Sequence, residues 1–210
     1  MGKYTGLGLL LLALPLWAAQ PQGRFSETGL EGWQQKRFDG ETRYTLLDPG
    51  KGWVEAVSDT TASALYLEQK VDLKKTPWLN WSWMKRRSIE PADENAKSGD
   101  DFVARVYVVK KGGLLFWKTL AINYVWSARH RTGESWDNPF AGRNARMLAL
   151  RDGGDPEGRW FTERRNVRED FQRLFGKDLR YIDGIAIMTD SDNSGGRAEA
   201  VYGDLYFTPE

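Results

Sequence analysis

The 210-residue chain contains no cysteine and a single histidine, His130. The absence of cysteine excludes a disulfide framework, a thiolate nucleophile and any metal site built on cysteine ligands. A single histidine also excludes a histidine-rich metal centre. The sequence further lacks a G-x-S-x-G nucleophile elbow, a phosphate-binding P-loop and an H-E-x-x-H helix. Composition and motifs therefore give little support to catalysis.

Neither sign of charge is in excess, because 30 Lys and Arg residues are balanced by 29 Asp and Glu residues. Binding of DNA or RNA requires a cationic excess or stripe. The local basic cluster Lys85, Arg86 and Arg87 is better explained as the solvated end of a strand. We therefore expect no nucleic-acid partner.

The only long apolar run is at the N-terminus, where Lys3 precedes GLGLLLLALPLWA and two alanines, Ala18 and Ala19, follow. This is the arrangement of a cleaved secretory signal peptide. The run is shorter than the roughly 20 residues that a membrane-spanning helix needs. We therefore predict a signal peptide at 1–19, a single domain at 20–210, a periplasmic location and no membrane span in the mature chain.

Short β-rich runs separated by Gly, Asp, Asn and Pro dominate the mature chain. They occupy residues 42–48, 52–58, 63–71, 78–86, 102–110, 114–127, 145–151, 182–190 and 198–207. This spacing predicts an all-β, antiparallel sandwich of about eight to ten strands. One short flanking helix is predicted at about 166–175, since Asn166 and Glu169 form a capping box and Gly176 stands at the C-terminal cap.

Five stretches, in fixed order, carry a family resemblance: TTASALYLEQKVDLKKTPWLNWSWMK, KSGDDFVARVYVV, LAINYVWS, RRNVREDFQRLFG and IAIMTDSDNSGGRAEAVYGDLYF. Together they resemble the bacterial family catalogued as domain of unknown function 3047, over nearly all of the mature chain. The resemblance implies an exported protein whose fold is like the jelly-roll sandwiches of galactose-binding and carbohydrate-binding modules. It implies no activity and no catalytic residues.

The segment DSDNSGG at 190–196 is rich in the oxygen ligands that calcium prefers. It is not an EF-hand loop, because position 12 counted from Asp190 is Val201 rather than Glu, and the flanking segments are predicted strands. A looser calcium site built from Asp190, Asp192 and Asn193 stays open. We favour a rim loop in which Asp and Asn side chains bond to the backbone and the glycines take positive φ.

Arg105 lies among apolar residues in the predicted strand FVARVYVV. Burying an unpaired charge costs several kcal/mol, so Arg105 needs a carboxylate partner, for which Asp101, Asp190 and Asp204 are candidates. The pair is either a structural ion pair or the side of a ligand groove. The exposure of Arg105 distinguishes the two interpretations.

The chain is rich in aromatic residues, with ten Trp, eight Tyr and nine Phe. Trp81 and Trp83 share one strand face, as do Ile122, Tyr124 and Trp126, and both faces are expected in the core. Three other tryptophans, Trp117, Trp136 and Trp160, are predicted in or near loops. The segment RHRTGESWDNPFAG is predicted as a long loop that carries Arg129 and Trp136 to one end of the fold, where Trp136 could stack on a sugar or anchor the loop.

These patterns predict a non-catalytic module that binds a glycan or another component of the cell envelope. Its candidate ligand-binding residues are Trp136, Arg129, Arg105 and Asp101, and calcium is the only cofactor considered. One alternative is a periplasmic glycan hydrolase that uses two carboxylates, with Asp100, Asp101, Glu163 and Asp190 as candidates. Another is a structural partner in an envelope complex, which would need a large exposed apolar patch.

The signal-peptide prediction is tested by N-terminal sequencing of protein exported from a bacterial host. We expect the mature chain to begin near Ala19 or Gln20, because the small residues of the cleavage region lie there. An intact Met1, or retention of the protein in the membrane fraction, would contradict it.

Overall fold

A computed structural model describes residues 23–91, 93–114 and 118–209. The predicted signal peptide and Trp117 lie outside these described residues. Across the described ranges, every helix is too short or too polar to cross a membrane.

Two β-sheets pack face to face and form the predicted sandwich. In the described residues the strands are β1 (Gln34–Asp39), β2 (Arg43–Asp48), β3 (Trp53–Asp59), β4 (Ala62–Asp72), β5 (Trp78–Arg87), β6 (Arg105–Lys110), β7 (Leu120–Trp126), β8 (Ser135–Asn138), β9 (Gly142–Arg151), β10 (Phe161–Asn166), β11 (Tyr181–Met188), β12 (Arg197–Tyr202) and β13 (Tyr206–Thr208). The seven-stranded sheet has the order β1-β4-β11-β6-β7-β9-β8. The second sheet has the order β10-β5-β12-β3-β2, and β13 also pairs with β5.

The inner faces of the two sheets meet in one aromatic core. Trp81 and Trp83 of β5 and Tyr124 and Trp126 of β7 are all buried. The ring centroids of Trp81 and Tyr124 are 5.4 Å apart, and those of Trp83 and Trp126 are 5.7 Å apart. Aromatic pairs at such distances add to the free energy gained by burial. The prediction that these alternating aromatics form the core is confirmed.

Two helices accompany the sheets, α1 (Phe25–Thr28) and α2 (Val167–Phe175). The second is the predicted helix. The Asn166 side chain accepts a hydrogen bond from the Glu169 backbone N–H, and its Nδ2 donates to the Glu169 carboxylate at 2.8 Å. Gly176 ends the helix with φ of 67°, the left-handed conformation that glycine adopts without steric cost.

The strands that the sequence pattern missed are β1, β8 and β10, and each lies at the edge of a sheet. Edge strands carry polar residues on both faces, so they lack the alternation from which a strand is predicted. The predicted loop at 129–142 is therefore wrong in part, because it contains β8. The chain crosses from β7 to the sheet edge as β8 and returns as β9, which places β9 parallel to β7 while the other paired strands are antiparallel.

Substitution of Asn166 by alanine is expected to lower the free energy of unfolding by about 1 kcal/mol, because it removes the acceptor that caps α2. Chemical denaturation measures the loss. Gln172→Ala is the matched control, since Gln172 is an exposed position of the same helix. Equal stability of Asn166→Ala and the control would show that the cap contributes nothing.

Candidate functional site

A groove crosses the outer face of the seven-stranded sheet. It consists of two adjoining cavities of about 340 and 460 Å³, which share Phe38 and Tyr107 as lining residues. Alanines on neighbouring strands line it: Ala62, Ala64, Ala121, Ala145 and Ala186. Because alanine side chains end at Cβ, the surface of the sheet is recessed here relative to the larger side chains on either side. The groove is a consequence of small residues placed on the face of the strands opposite to the core.

One half of the groove is mainly aromatic and apolar. Phe38 of β1 is 60% exposed, and the half-buried Tyr66 of β4 donates its hydroxyl hydrogen to Gln34 Oε1 at 2.8 Å. Lys36 Nζ lies 5.3 Å from the centroid of the Phe38 ring. At the far rim, Lys111 pairs with Glu68 at 2.6 Å. This half offers ring surfaces flanked by charges of both signs.

The other half is polar and contains a buried ion-pair network centred on Arg105. Arg105 Nε donates to Asp190 Oδ1 at 2.8 Å, and Nη2 donates to Asp190 Oδ2. Arg105 Nη1 lies 3.3 Å from Asp100 Oδ1, and Asn138 Nδ2 donates to Asp100 Oδ2 at 2.9 Å. Arg105 is only 2% exposed and forms a buried ion pair, and it also lines the larger cavity. Its partners are Asp190, which was among the candidates, and Asp100.

Burial and neighbouring charges shift the pKa values of Arg105 and Asp190 in opposite directions. Burial alone would lower the pKa of Arg105, but Asp100 and Asp190 raise it well above its ordinary value. Burial raises the pKa of Asp190, because its carboxylate is removed from water, and the Arg105 guanidinium opposes that rise. The guanidinium therefore stays charged and holds both carboxylates.

Asp101 lies beside this network and holds the rim loop. It is fully buried and accepts hydrogen bonds from Asn193 Nδ2 at 3.2 Å, from the Ser194 backbone N–H and from the Ser194 hydroxyl. Within the loop, Ser191 Oγ donates to the Gly196 carbonyl at 2.9 Å. The glycines at 195 and 196 take φ of 76° and 91°. The predicted rim loop is confirmed, and Arg105 helps to hold it through Asp190.

Asp192 is the one acidic side chain of this loop whose charge is poorly compensated. Its Oδ1 is buried without a hydrogen-bond partner. Burial, together with the charge of Asp101, raises the pKa of Asp192 to about 6.

Oxygen atoms of Asp101, Asp190 and Asp192 lie within 4.8 Å of one another. The oxygens of Asp101 and Asp190 already accept hydrogen bonds from protein donors, so a calcium ion would have to displace those bonds.

The remaining predicted residues lie outside the groove. Trp136 is in β8, half-buried, and its ring stacks on His130 with a centroid distance of 3.7 Å. Arg129 lines a separate cavity of about 280 Å³, where its Nε donates to the Pro91 carbonyl at 2.7 Å. Trp136 is therefore covered by protein on one ring face. Arg105, Asp190, Asp192 and Asn193 line the larger cavity of the groove. Asp101, which contacts Asn193, lines the separate cavity together with Arg129, and Trp136 lines none of these three cavities.

Of the four acidic candidates for hydrolysis, Asp101 and Asp190 lie close together, and Glu163 lies apart from the others. Glu163 lies on β10 of the opposite sheet, where it accepts from Trp83 Nε1 at 3.0 Å and Arg151 Nε at 2.6 Å. Asp100 and Asp190 are held by Arg105. A glycosidase needs two carboxyl groups about 5 to 10 Å apart with room for the sugar between them. All four carboxylates accept hydrogen bonds from protein donors.

Several groove residues were missed by the sequence reasoning. They are Phe38, Tyr66, Tyr107, Asn123, Asn138 and Phe140. The signal that could have found them is the alanines on four strands at positions opposite to the core face, since small residues there indicate a recessed surface.

Replacing Asp192 by asparagine is expected to stabilise the protein at neutral pH. The pKa of Asp192 is raised in the folded state, so its contribution to stability falls as pH rises from about 4 through 6. Asparagine cannot ionise, and we expect a gain on the order of 1 kcal/mol at pH 7, or about 2 to 4 °C in melting temperature. At pH 4 the two proteins should melt together.

The same melting experiment, repeated with calcium, tests the metal alternative. We expect no change on adding calcium, because protein donors occupy Asp101 and Asp190. A calcium-dependent rise in the wild type that is absent in Asp192→Asn would establish a calcium site instead.

Comparisons with known proteins place this geometry in context. The carbohydrate-binding module TmCBM61, solved with β-1,4-galactotriose, has 14% identity and a TM-score of 0.40, with 90% of this chain and 95% of that chain covered. Endoglucanase Cel12A from Rhodothermus marinus has 11% identity and a TM-score of 0.46, with coverages of 84% and 95%. The family 11 carbohydrate-binding module from Clostridium thermocellum has 14% identity and a TM-score of 0.39, with coverages of 85% and 89%.

A search of curated proteins gives no match. The model of the family described as "Protein of unknown function (DUF3047)" matches residues 31–206. The chain therefore belongs to the DUF3047 family, as its sequence motifs suggested.

Proposed function

We propose that this protein is an exported, non-catalytic module that binds a glycan chain along the groove of the seven-stranded sheet. The observation that carries the proposal is the groove itself, which is open, crosses several strands and combines ring surfaces with polar groups. Sugars present apolar C–H faces and a rim of hydroxyl groups, so a binding site for them needs both kinds of surface. Each of the two cavities has the volume of a ligand site, about 300 to 1,000 Å³.

The distribution of exposed apolar residues supports the same surface. Among the described residues, four large apolar side chains are well exposed: Phe38, Leu47, Leu114 and Phe140. Two of them, Phe38 and Phe140, line the groove. Single exposed apolar residues are ordinary on protein surfaces, whereas two on one polar-rimmed groove favour a binding site. The pair is too small and too interrupted by charges to favour a broad protein interface.

Export is the part of the proposal that rests on the sequence alone. The N-terminal segment has the order of charge, apolar run and small residues that a signal peptide has. A glycan-binding module in the periplasm would meet cell-envelope polysaccharides directly.

Replacing two aromatic rings of the apolar half of the groove should weaken glycan binding. We expect the double variant Phe38→Ala, Tyr66→Ala to bind about tenfold or more weakly, since a well-placed aromatic contact is worth about 0.5 to 1.5 kcal/mol. The measurement is a glycan-array screen of the mature protein, followed by calorimetry with the best oligosaccharide.

Trp160→Ala is the matched control. The Trp160 ring lies 5.1 Å from the ring of Trp53, whose strand belongs to the other sheet. Loss of binding in Trp160→Ala but not in the double variant would place the site on the six-stranded sheet. Absence of binding to any glycan, with turnover of a polysaccharide, would favour the hydrolase.

A further inference from the structure

Two residues that line the larger cavity of the groove, Asn123 and Asp192, each have a buried side-chain oxygen, Oδ1, without a hydrogen-bond donor. Asn123 is only 1% exposed and lies in the middle of β7. A buried polar atom without a partner is costly, and such atoms in a native structure need an explanation. Both atoms are acceptors. A group that satisfies them must therefore donate hydrogen bonds.

The neighbours of Asn123 in the sheet do not supply that donor. Asn123 is in register with Tyr107 of β6 and Met147 of β9. The Tyr107 hydroxyl donates to Met188 Sδ at 3.4 Å and accepts from Arg105 Nη1 at 3.3 Å, and a methionine side chain has no polar hydrogen. The amide oxygen of Asn123 is thus left for a molecule in the groove.

The charged residues of the cavity limit which chemical groups that molecule can carry. The charged residues that line this cavity are Asp39, Asp100, Asp190 and Asp192, with Arg105 as the one basic residue among the described lining residues. Asp100 and Asp190 hold Arg105 between them. Asp39 and Asp192 add negative charge that the cavity wall does not neutralise.

Resting on the proposed function, we propose that this end of the groove binds the protonated amine of an amino sugar, so that the ligand is a glycan with free, unacetylated hexosamine units. An ammonium group carries three donors and no acceptor, which matches two unpaired acceptors in a negatively charged cavity. An N-acetyl group would bring a carbonyl oxygen towards carboxylates. A sulfated or carboxylated sugar would be repelled.

Three β-1,4-linked hexamers test the inference, because they differ at the 2-position: the glucosamine, N-acetylglucosamine and glucose oligomers. Calorimetry at pH 7 should show the glucosamine hexamer binding at least tenfold more tightly than the other two. In Asp192→Asn the ratio of the affinities for the glucosamine and glucose hexamers should fall several-fold, and in Asn123→Leu it should fall as well. The melting temperature of each variant shows that it is folded.

Glu31→Gln is the matched charge control, since Glu31 is exposed and is not a lining residue of the groove. An equal loss of preference in Glu31→Gln and Asp192→Asn would reduce the effect to general charge attraction and overturn the inference. Equal affinity of the wild type for all three hexamers would also overturn it. If that binding still depended on Phe38 and Tyr66, the proposed function would stand without the inference. If the protein binds no glycan, both the proposed function and the inference about the amino sugar are wrong.

Discussion

The buried guanidinium of Arg105 is the group on which the groove depends. It joins three segments that are distant in sequence: β6, the turn at Asp100 and the rim loop at Asp190. A buried ion pair gives little net stability compared with apolar residues of the same volume, because desolvating the charges is expensive. Removing one partner is far more damaging, since it leaves the other charge buried and alone. The network therefore fixes position more than it adds stability.

A second contact at the same place ties the two sheets together. Tyr202 of β12 belongs to the six-stranded sheet, and its hydroxyl reaches across the core to the other sheet. It accepts from the Arg105 backbone N–H at 3.2 Å and donates to the Met188 carbonyl at 2.7 Å. Arg105 is thus held at its backbone by one sheet and at its side chain by the rim loop. The polar end of the groove has a rigid base, which reduces the entropy lost when a ligand binds.

The sequence predicts the interior of this protein better than its surface. Alternation of Trp81 with Trp83 and of Tyr124 with Trp126 identified core faces, and the capping pattern around Asn166 identified the helix. These features are local, because the residues that determine them are a few positions apart. Arg105 required a carboxylate, and Asp190 was among the three considered. Of the other two, Asp101 holds the rim loop and Asp204 accepts from the Ser26 backbone N–H at 2.9 Å. A buried arginine requires a carboxylate partner, but which carboxylate lies beside it is determined by the fold.

The groove could not be predicted in the same way, because it depends on strand order. Ala64, Ala186 and Ala121 lie on β4, β11 and β7, which are brought side by side with β6 by pairings between distant parts of the chain. The loop prediction around Trp136 failed for a related reason. The short edge strand β8 is defined by its pairing with β9 and not by an apolar pattern of its own. Trp136 therefore lies in a paired edge strand and not in the predicted loop.

The polar end of the groove departs from the rule that buried polar groups are paired, and that departure is itself informative. Elsewhere in this region the rule is obeyed closely: Asp100, Asp101 and Asp190 all accept hydrogen bonds from protein donors. Only the oxygens of Asn123 and Asp192 in this cavity do not. A natural sequence tends to keep such locally unfavourable groups where they serve a function. A carbonyl-type oxygen and a carboxylate, both without donors beside a groove, are unfavourable for the free protein and become favourable when a cationic donor binds. The same two atoms that lower stability are therefore the ones from which the proposed binding of an ammonium group is argued.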